Sequence, residues 1–547
     1  MAESFMTGPE HEETDIVIVG AGSAGCVLAS RLSVRRDLNV TVLEAGGSDR
    51  SLWVRMPIGY GGAFHHPRLN WRYMTEPDPG LGGRAAYWPR GKVIGGSSSI
   101  NAMVFIRGQA RDYDAWAEAG NTGWSYQDLL PAFRRLEDNL AGSDTYRAAG
   151  GPITITDIAA HAHSLGHAFL DAARRAGFRD NADFNGADQE GVGFYQITTR
   201  RGLRCSAATG YLRPALKRSN LRLETEAHVT RILFKGHRAV GVEYRKGDRL
   251  VSLRARREVI LSAGAIGSPQ ILQLSGIGDP ERLSALGIET VLARPQVGRN
   301  LQDHVGFDFV YEATVPTLNS VLGPLMARGM AGLRYVATRG GPLSLSVNQA
   351  GGFVRSGPGR DRPNLQLYFS PLSYTRAVPG KRRLTKPDSF PGFMMGLSNC
   401  HPRSRGWLHV RSADPAEPPE IHPRYYAEPE DMEEMLEGTE ILRRIAAEAP
   451  VAGVVREEKL PGAGVTGRED MADYIRARSG SVFHPCGTCA MGPDPATSVV
   501  DPELRVHGIA GLRVADASIM PTIPAGNLGA PCLMIGERAA ELIRAVN

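Results

Sequence analysis

Asp15-Ile-Val-Ile-Val-Gly-Ala-Gly-Ser-Ala-Gly25 sets a buried strand, a glycine turn and the start of a helix in immediate succession. Ile16 to Val19 is an unbroken β-branched run, as a central parallel strand covered on both faces requires. Gly20, Gly22 and Gly25 satisfy G-x-G-x-x-G. The first glycine permits the tight turn, the second lets the backbone approach a phosphate, and the third lets the next helix pack on the strand. That helix, expected over about Ser23 to Leu32, presents the N–H groups from Ser23 and Ala24 onward, with its positive dipole end, to a pyrophosphate. A second apolar run, Val40-Thr-Val-Leu43, ends in Glu44 and Ala45, about twenty residues past the glycines. A carboxylate there accepts hydrogen bonds from ribose hydroxyls and repels a 2′-phosphate. The alternative is an ordinary βα turn that binds nothing. Strand before, helix after and an acid at that offset favour a dinucleotide.

Further along lies Arg90-Gly-Lys-Val-Ile-Gly-Gly-Ser-Ser-Ser-Ile-Asn101, a glycine–serine turn of the kind that lets a backbone lie against a flat ring. Two such segments point to a dinucleotide held at both ends, and hence to a flavoenzyme.

At 547 residues the chain is too long for one simple core, so two domains are the default. Its apolar fraction and mean hydropathy are those of an ordinary soluble protein. A net charge of +5 with scattered basic residues gives no footprint for nucleic acid. Six cysteines in this length are not a disulfide framework and suit a reducing compartment. Residues 1–14 are polar and acidic, without the apolar core of a signal peptide. No window reaches eighteen apolar residues, so no membrane span is expected. The expected location is the cytoplasm, with attachment to the inner membrane surface as the alternative. For that alternative the candidate segment is Pro324 to Arg339, which mixes apolar residues with arginines. Its glycines favour a plain substrate-domain helix instead.

Glycine-rich and β-branched signals cluster in 15–110, 220–305 and 480–547. Glu258-Val-Ile-Leu-Ser-Ala-Gly264 is another apolar strand ending in small residues. In Ser268-Pro-Gln-Ile-Leu-Gln-Leu274 the proline suits a first helical turn. Leu512-Arg-Val-Ala-Asp516 is a strand ending in an acid, and a final helix is expected from about Pro531 to Val546. The intervening stretches are richer in aromatics and prolines. Asn364 to Phe369 and Trp407 to Arg411 alternate like strands of a second sheet. The expected architecture is α/β: a discontinuous Rossmann-like domain over 1–150, 191–307 and 482–547, with an inserted substrate domain over 151–190 and 308–481, built on an antiparallel sheet flanked by helices.

Four segments together resemble the glucose–methanol–choline (GMC) family of FAD-dependent oxidoreductases. They are the Gly20–Gly25 fingerprint with Glu44; the Arg90–Asn101 turn continuing to Arg107-Gly108 and Asp112-Tyr113-Asp114; Gly264 to Gly278; and the run from His484 to Glu537. They span nearly the whole chain in the family's order and spacing. Val297-Gly-Arg-Asn-Leu-Gln-Asp-His304 is most similar to the bacterial choline and long-chain alcohol dehydrogenase branch. The resemblance implies FAD, and it implies positions. Gly20, Gly22, Gly25 and Glu44 hold the ADP half, and Val229 meets the adenine through its backbone. The turn with Gly91, Val93, Gly95, Gly96, Ser97 and Asn101, continuing through Ala102, Met103 and Val104, runs under the flavin ring. Ala263, Gly264, Asp516 and Ala517 lie near the pyrophosphate, and Asn527 with Leu528 beside the flavin. Some relatives attach FAD through a histidine just before the Asn101 position. Here that residue is Ile100, so FAD is expected to be noncovalent.

Flavin-linked alcohol oxidation moves a hydride from the carbinol carbon to N5 and a proton from the hydroxyl to a base. A neutral imidazole suits the second task. His484, in Val482-Phe-His-Pro-Cys-Gly-Thr-Cys489, matches the family's catalytic histidine, with a structural histidine as the bland alternative. Asn527, in Pro524-Ala-Gly-Asn-Leu-Gly-Ala-Pro531, matches the partner position and would donate to the substrate oxygen. Cys486-x-x-Cys489 is read as part of the family's Gly-Thr-Cys run, and no metal site is expected. Cys400 stands about where light-driven fatty acid decarboxylases of the family carry a functional cysteine, but His484 and Asn527 favour alcohol oxidation. Leu528-Gly529-Ala-Pro-Cys532 departs from the common pattern beside Asn527.

The expectation is oxidation of a primary alcohol, apolar or aromatic, with oxygen or a quinone as acceptor, by a monomer or homodimer. A choline-type substrate calls for an aromatic cage, for which Tyr60, Phe64, Trp71 and Tyr368 are candidates. The segment over about 56–80 is a candidate lid.

Overall fold

Ile16, Val17 and Ile18 are fully buried and Val19 nearly so, which puts their strand at the centre of a sheet. The computed structural model describes residues 12–374 and 386–546. The first seven-stranded sheet runs in the spatial order Leu221–Thr225, Val40–Glu44, Glu12–Val19, Arg249–Leu261, Arg238–Lys246, His228–Lys235. Leu512–Val514 adds in parallel beside the end of Arg249–Leu261. The strands from Leu221–Thr225 to Arg249–Leu261 are parallel, while the last two return as antiparallel hairpins. Parallel pairing brings the carboxyl ends of four strands to one edge. Gly20, Ser262 and Asp516 lie just beyond those ends and Glu44 closes its own strand, which is where open α/β sheets bind their ligands.

Two helices cover one face of this sheet, Ser23–Leu32 and Gly529–Val546. A Cβ on Gly536 would lie 2.8 Å from Val27 Cβ, so the glycine sets how closely the two helices approach. Glu537, almost fully buried, ties them together by accepting from Arg31 at 2.8 Å and from the Tyr211 hydroxyl at 2.6 Å.

The second seven-stranded sheet is antiparallel, in the order Val455–Leu460, Val305–Ala313, Gly392–Asn399, Leu365–Ser370, Ala350–Val354, Gly191–Phe194, with Gly480–Ser481 paired to Val305 and Gly306. Its first strand in the chain, Gly191–Phe194, thus comes from just beyond residue 190. Alternate residues point to opposite faces. Phe307, Phe309, Leu365, Leu367, Met395 and Leu397 meet the helices Ser164–Arg175, Pro429–Ala447 and Arg468–Arg478 in a second core. The other set, including Asp308, Gln366, Tyr368 and Met394, is left to face the first domain.

Two local expectations are corrected. Trp407–His409 forms a separate two-stranded ribbon with Glu420–His422 instead of joining the second sheet. Its three-residue length reflects the turn residues that flank it. Pro269 lies in the body of Gly264–Leu274, five residues beyond its start. The proline has no N–H for the Ala265 carbonyl. The buried Thr488 hydroxyl donates to that carbonyl at 2.6 Å instead, which is why the helix tolerates the ring.

Candidate active site

Glycine geometry shapes the first cavity. Gly20 sits at φ +99°, and a Cβ there would lie 2.5 Å from the Ser262 carbonyl oxygen. Gly96, at φ +52°, would place a Cβ 2.7 Å from Gly22 Cα. The two glycine turns therefore touch, and neither contact admits a side chain. A cleft of about 1140 Å³ opens between them, walled by Gly20, Gly22, Ser23, Ala24, Glu44, Ala45, Arg90, Gly91, Gly96 and Ser97, with Val229, Ala263, Gly264, Asp516 and Ala517 from later in the chain. The helix Ser23–Leu32 has no side-chain cap at Gly22, so its first N–H groups are turned to this space without a side-chain partner. That is the donor set a pyrophosphate needs.

Glu44 is buried and accepts from the N–H groups of Ala21 and Gly46, each at 2.8 Å. Burial pushes its carboxyl up to about 7, against the pull of those two bonds. Asp516 accepts from Gly264 N at 2.8 Å, the Ser268 hydroxyl at 2.6 Å and Ser518 N at 2.8 Å. It thus holds the ends of two strands and the start of one helix in register.

A second cavity, of about 1330 Å³, adjoins the first and shares Ser23, Arg90, Ser97, Pro485, Ala517 and Cys532 with it. Asn101, Ala102, Met103, Val104, His484, Asn527 and Leu528 line it, with Tyr60, Phe64, Asp308, Tyr368 and Met394 opposite. Three of the expected residues line neither cavity. Gly25 serves packing, since a Cβ there would collide with the Gly20 carbonyl. Gly95 donates to the Ala21 carbonyl at 2.7 Å, and the Val93 side chain is buried beside Val54 and Ile100. Of the aromatic candidates, Tyr60, Phe64 and Tyr368 share the second cavity. Trp71 stands in the first, stacked on Tyr73 with the Lys92 ammonium 4.4 Å from its ring centre.

His484 and Asn527 meet in the wall of the second cavity, His484 Nε2 lying 3.2 Å from Asn527 Nδ2. The rest of the network was not apparent from sequence. His484 Nδ1 is 3.0 Å from Nδ1 of His304, whose Nε2 is 2.9 Å from the Cys400 carbonyl oxygen. A carbonyl only accepts, so His304 Nε2 carries its hydrogen and donates. With His304 neutral, its Nδ1 bears the lone pair and accepts from His484 Nδ1–H. The lone pair of His484 is thereby placed on Nε2, facing the cavity. Burial holds His304 down to about 4, consistent with the neutral form this chain of bonds requires. His484 is held well below the usual histidine range, by burial first and then by His304 and the Arg90 guanidinium.

Backbone and amide are fixed as firmly as the ring. Asp303 Oδ1 accepts from His484 N at 2.7 Å, while its other oxygen takes the hydroxyls of Tyr425 and Ser481. Gln366 Nε2 donates to Asn527 Oδ1 at 3.2 Å, and its own oxygen accepts from Tyr368 at 2.8 Å. With its oxygen so engaged, Asn527 turns its NH₂ toward His484 and the cavity.

Comparison with known proteins agrees with this geometry. Family models for GMC oxidoreductases match residues 14–306 and 402–536. An alcohol dehydrogenase [acceptor] of Pseudomonas putida is 42% identical over 97% of this chain and 95% of its own length. An oxygen-dependent choline dehydrogenase of Photobacterium profundum is 42% identical over 97% of this chain and 92% of its own.

The chain belongs to the GMC oxidoreductase family.

Among solved structures, pyridoxine 4-oxidase from Mesorbium loti superposes with a TM-score of 0.88 at 31% identity, covering 97% of this chain and 99% of that one. This GMC oxidoreductase is accordingly an FAD-dependent enzyme acting on CH–OH donors. The bare helix start and the glycine walls of the first cavity fit FAD, whose ADP half needs close backbone approach and whose ring needs a flat floor. Cys400, by contrast, is fully buried among Val104, Ile106, Tyr195 and Phe353, outside both cavity walls, and burial pushes its thiol far up. Among the described residues no helix is long and apolar enough to cross a membrane.

Proposed function

We propose that this enzyme oxidises a primary alcohol to the aldehyde, with His484 Nε2 taking the hydroxyl proton and Asn527 Nδ2 donating to the same oxygen. The observation that carries this reading is the run Cys400 O, His304, His484, which leaves the lone pair on the one histidine nitrogen that faces the cavity. Bound FAD supplies the acceptor for the hydride that leaves the carbinol carbon. Glu44, Val229 and the two glycine turns hold it, and Ile100, buried beside Val54 and Ala63, offers no nucleophile for a covalent bond. Asn527 and His484 together fix the alcohol oxygen, which orients the carbinol C–H toward the first cavity.

Phe64, Val347 and Met394 give the substrate cavity an apolar wall suited to an apolar or aromatic alcohol. A second reading rests on Asp308, a carboxylate in that wall beside Tyr60, Phe64 and Tyr368. Those are the groups that attract a quaternary ammonium, as in choline. The decarboxylase reading loses its support because the Cys400 thiol does not reach the cavity.

Anaerobic bleaching of the yellow holoenzyme by a panel of alcohols tests the reading. Bleaching by benzylic or alkyl primary alcohols, lost in His484→Ala, is the expected result. Choline as the best reductant would install the second reading. Recovery of colour on admitting air separates an oxidase from a dehydrogenase that passes electrons to a quinone. A flavin that no alcohol bleaches overturns both.

A further inference from the structure

Twelve large apolar side chains are exposed among the described residues, and five of them lie on one helix, Leu325–Thr338. Leu325 is 78% exposed, Met326 80%, Met330 63%, Leu333 72% and Val336 69%. An amphipathic helix of a soluble domain normally turns such residues inward. Here the inward face is Ala331 and Tyr335, packed with Leu343, Met56 and Ile58, and the Tyr335 hydroxyl donates to the Gly202 carbonyl at 2.9 Å. At about 100° per residue, the five apolar side chains centre on the side opposite Ala331 and Tyr335. Arg328 and Arg334 fall at the two borders between the faces. From 313 to 360 the chain has no aspartate or glutamate, and it carries five arginines.

An apolar stripe bordered by arginines needs a partner that is apolar at depth and anionic at its surface. We propose that Leu325–Thr338 is a membrane-docking helix that seats its outer face in an anionic phospholipid surface. The apolar side chains enter the headgroup and acyl boundary, and Arg328 and Arg334 reach the lipid phosphates. A second copy of this chain is a poorer occupant. The stripe is roughly 21 Å long and about 10 Å wide, far below the ~800 Å² per partner of a stable protein interface. Self-pairing would also bring arginine against arginine. Gly329 and Gly332 lower intrinsic helix propensity, but Ala331 and Tyr335 anchor the helix by packing.

Docking there has a consequence for the active site. Ile58 and Leu322 belong both to the cluster beneath the helix and to the cluster of Tyr60, Phe64 and Val347 that walls the substrate cavity. The cluster beneath the helix and the wall of the cavity thus share side chains. An apolar alcohol or a quinone dissolved in the bilayer would concentrate next to the site. This consequence rests on the proposed function; the docking does not.

The test is flotation of the flavin-loaded full chain with vesicles of 70% phosphatidylcholine and 30% phosphatidylglycerol. The wild type is expected to float at low salt and less at high salt, with weaker binding to pure phosphatidylcholine. A variant carrying Met326→Gln, Met330→Gln and Leu333→Gln should lose at least roughly tenfold in partitioning. Its flavin spectrum and its bleaching by a soluble alcohol should be unchanged, because these side chains touch no core. Separately, Leu333→Trp should show a blue-shifted emission when anionic vesicles are added. Equal flotation of wild type and triple variant, or none by either, overturns the proposal. So does a concentration-dependent doubling of mass that the triple variant abolishes without any flotation, which would assign the stripe to a second copy. Failure of bleaching with flotation intact would strike the proposed function alone.

Discussion

Cys400 contributes to the site through its carbonyl oxygen, which accepts from His304 Nε2 at 2.9 Å. Its effect on His484 is transmitted by His304, a positioning residue two bonds removed from the reacting oxygen. Replacing His304 by leucine removes the acceptor for His484 Nδ1–H and frees the ring to take the other tautomer. We expect kcat/KM to fall roughly 10²-fold. His304→Asn keeps an acceptor near the Nδ1 position and should restore most of that loss, which a purely steric role would not predict. The pH profile gives a second check. His484 must be neutral to accept a proton, and its folded pKa lies below the ordinary value of about 6.5. Activity should therefore hold as pH falls through 6 and decline only below the histidine range. An acid limb centred near 6.5 in the wild type would contradict the buried relay. His484 and Asn527 were named from sequence through the resemblance of their runs to the family's motifs. His304 and Gln366 were not. Their roles come from partners 180 and 161 positions away, which only the fold brings together.

Elements were read best where periodicity was strong. The β-branched strands and the helix after Gly22 fall where the sequence puts them, because fully buried parallel strands and a glycine start leave few alternatives. Pro269 was misplaced because proline's preference for a first turn is a local rule, and a distant hydroxyl overrides it. This has a measurable consequence. In Thr488→Val the Ala265 carbonyl, buried and without an N–H from Pro269, loses the hydroxyl that donates to it. A loss of about 1–3 kcal/mol in unfolding free energy is expected. Pro269→Ala supplies a backbone N–H at the i+4 position and should be far less costly in the Thr488→Val background than in the wild type. Additive effects of the two substitutions in denaturant titrations would show that the hydroxyl is not replacing the missing helical bond. Trp407–His409 shows the opposite limit. Its alternation was real, but three residues cannot state which sheet they join.

Over the whole molecule, the two sheets divide the labour and the site belongs to neither alone. Asn527 leads into the last helix of the first domain. His304 and His484 stand where the chain enters and leaves the second sheet, at Val305 and Ser481. Glycine-rich blocks alternating with aromatic-rich ones led to the expectation of a discontinuous first domain, and strands from both ends of the chain, Glu12–Val19 and Leu512–Val514, do share one sheet. The facing of Asp308, Gln366 and Tyr368 was not legible in the sequence, because strand alternation needs a register before it gives a direction. The first cavity is walled chiefly by the first domain, so FAD held there without a covalent bond should stabilise that domain by mass action. A ligand that binds only the folded state adds about 2.7 kcal/mol at one hundred times its Kd, and more as its concentration rises. The unfolding temperature of the first transition should therefore climb with added FAD. Precipitation in acid should leave all of the flavin in the supernatant, since Ile100 has no atom to bond it. Flavin remaining in the pellet, together with an unfolding temperature indifferent to free FAD, would mean that another side chain near the ring makes the covalent link that Ile100 cannot.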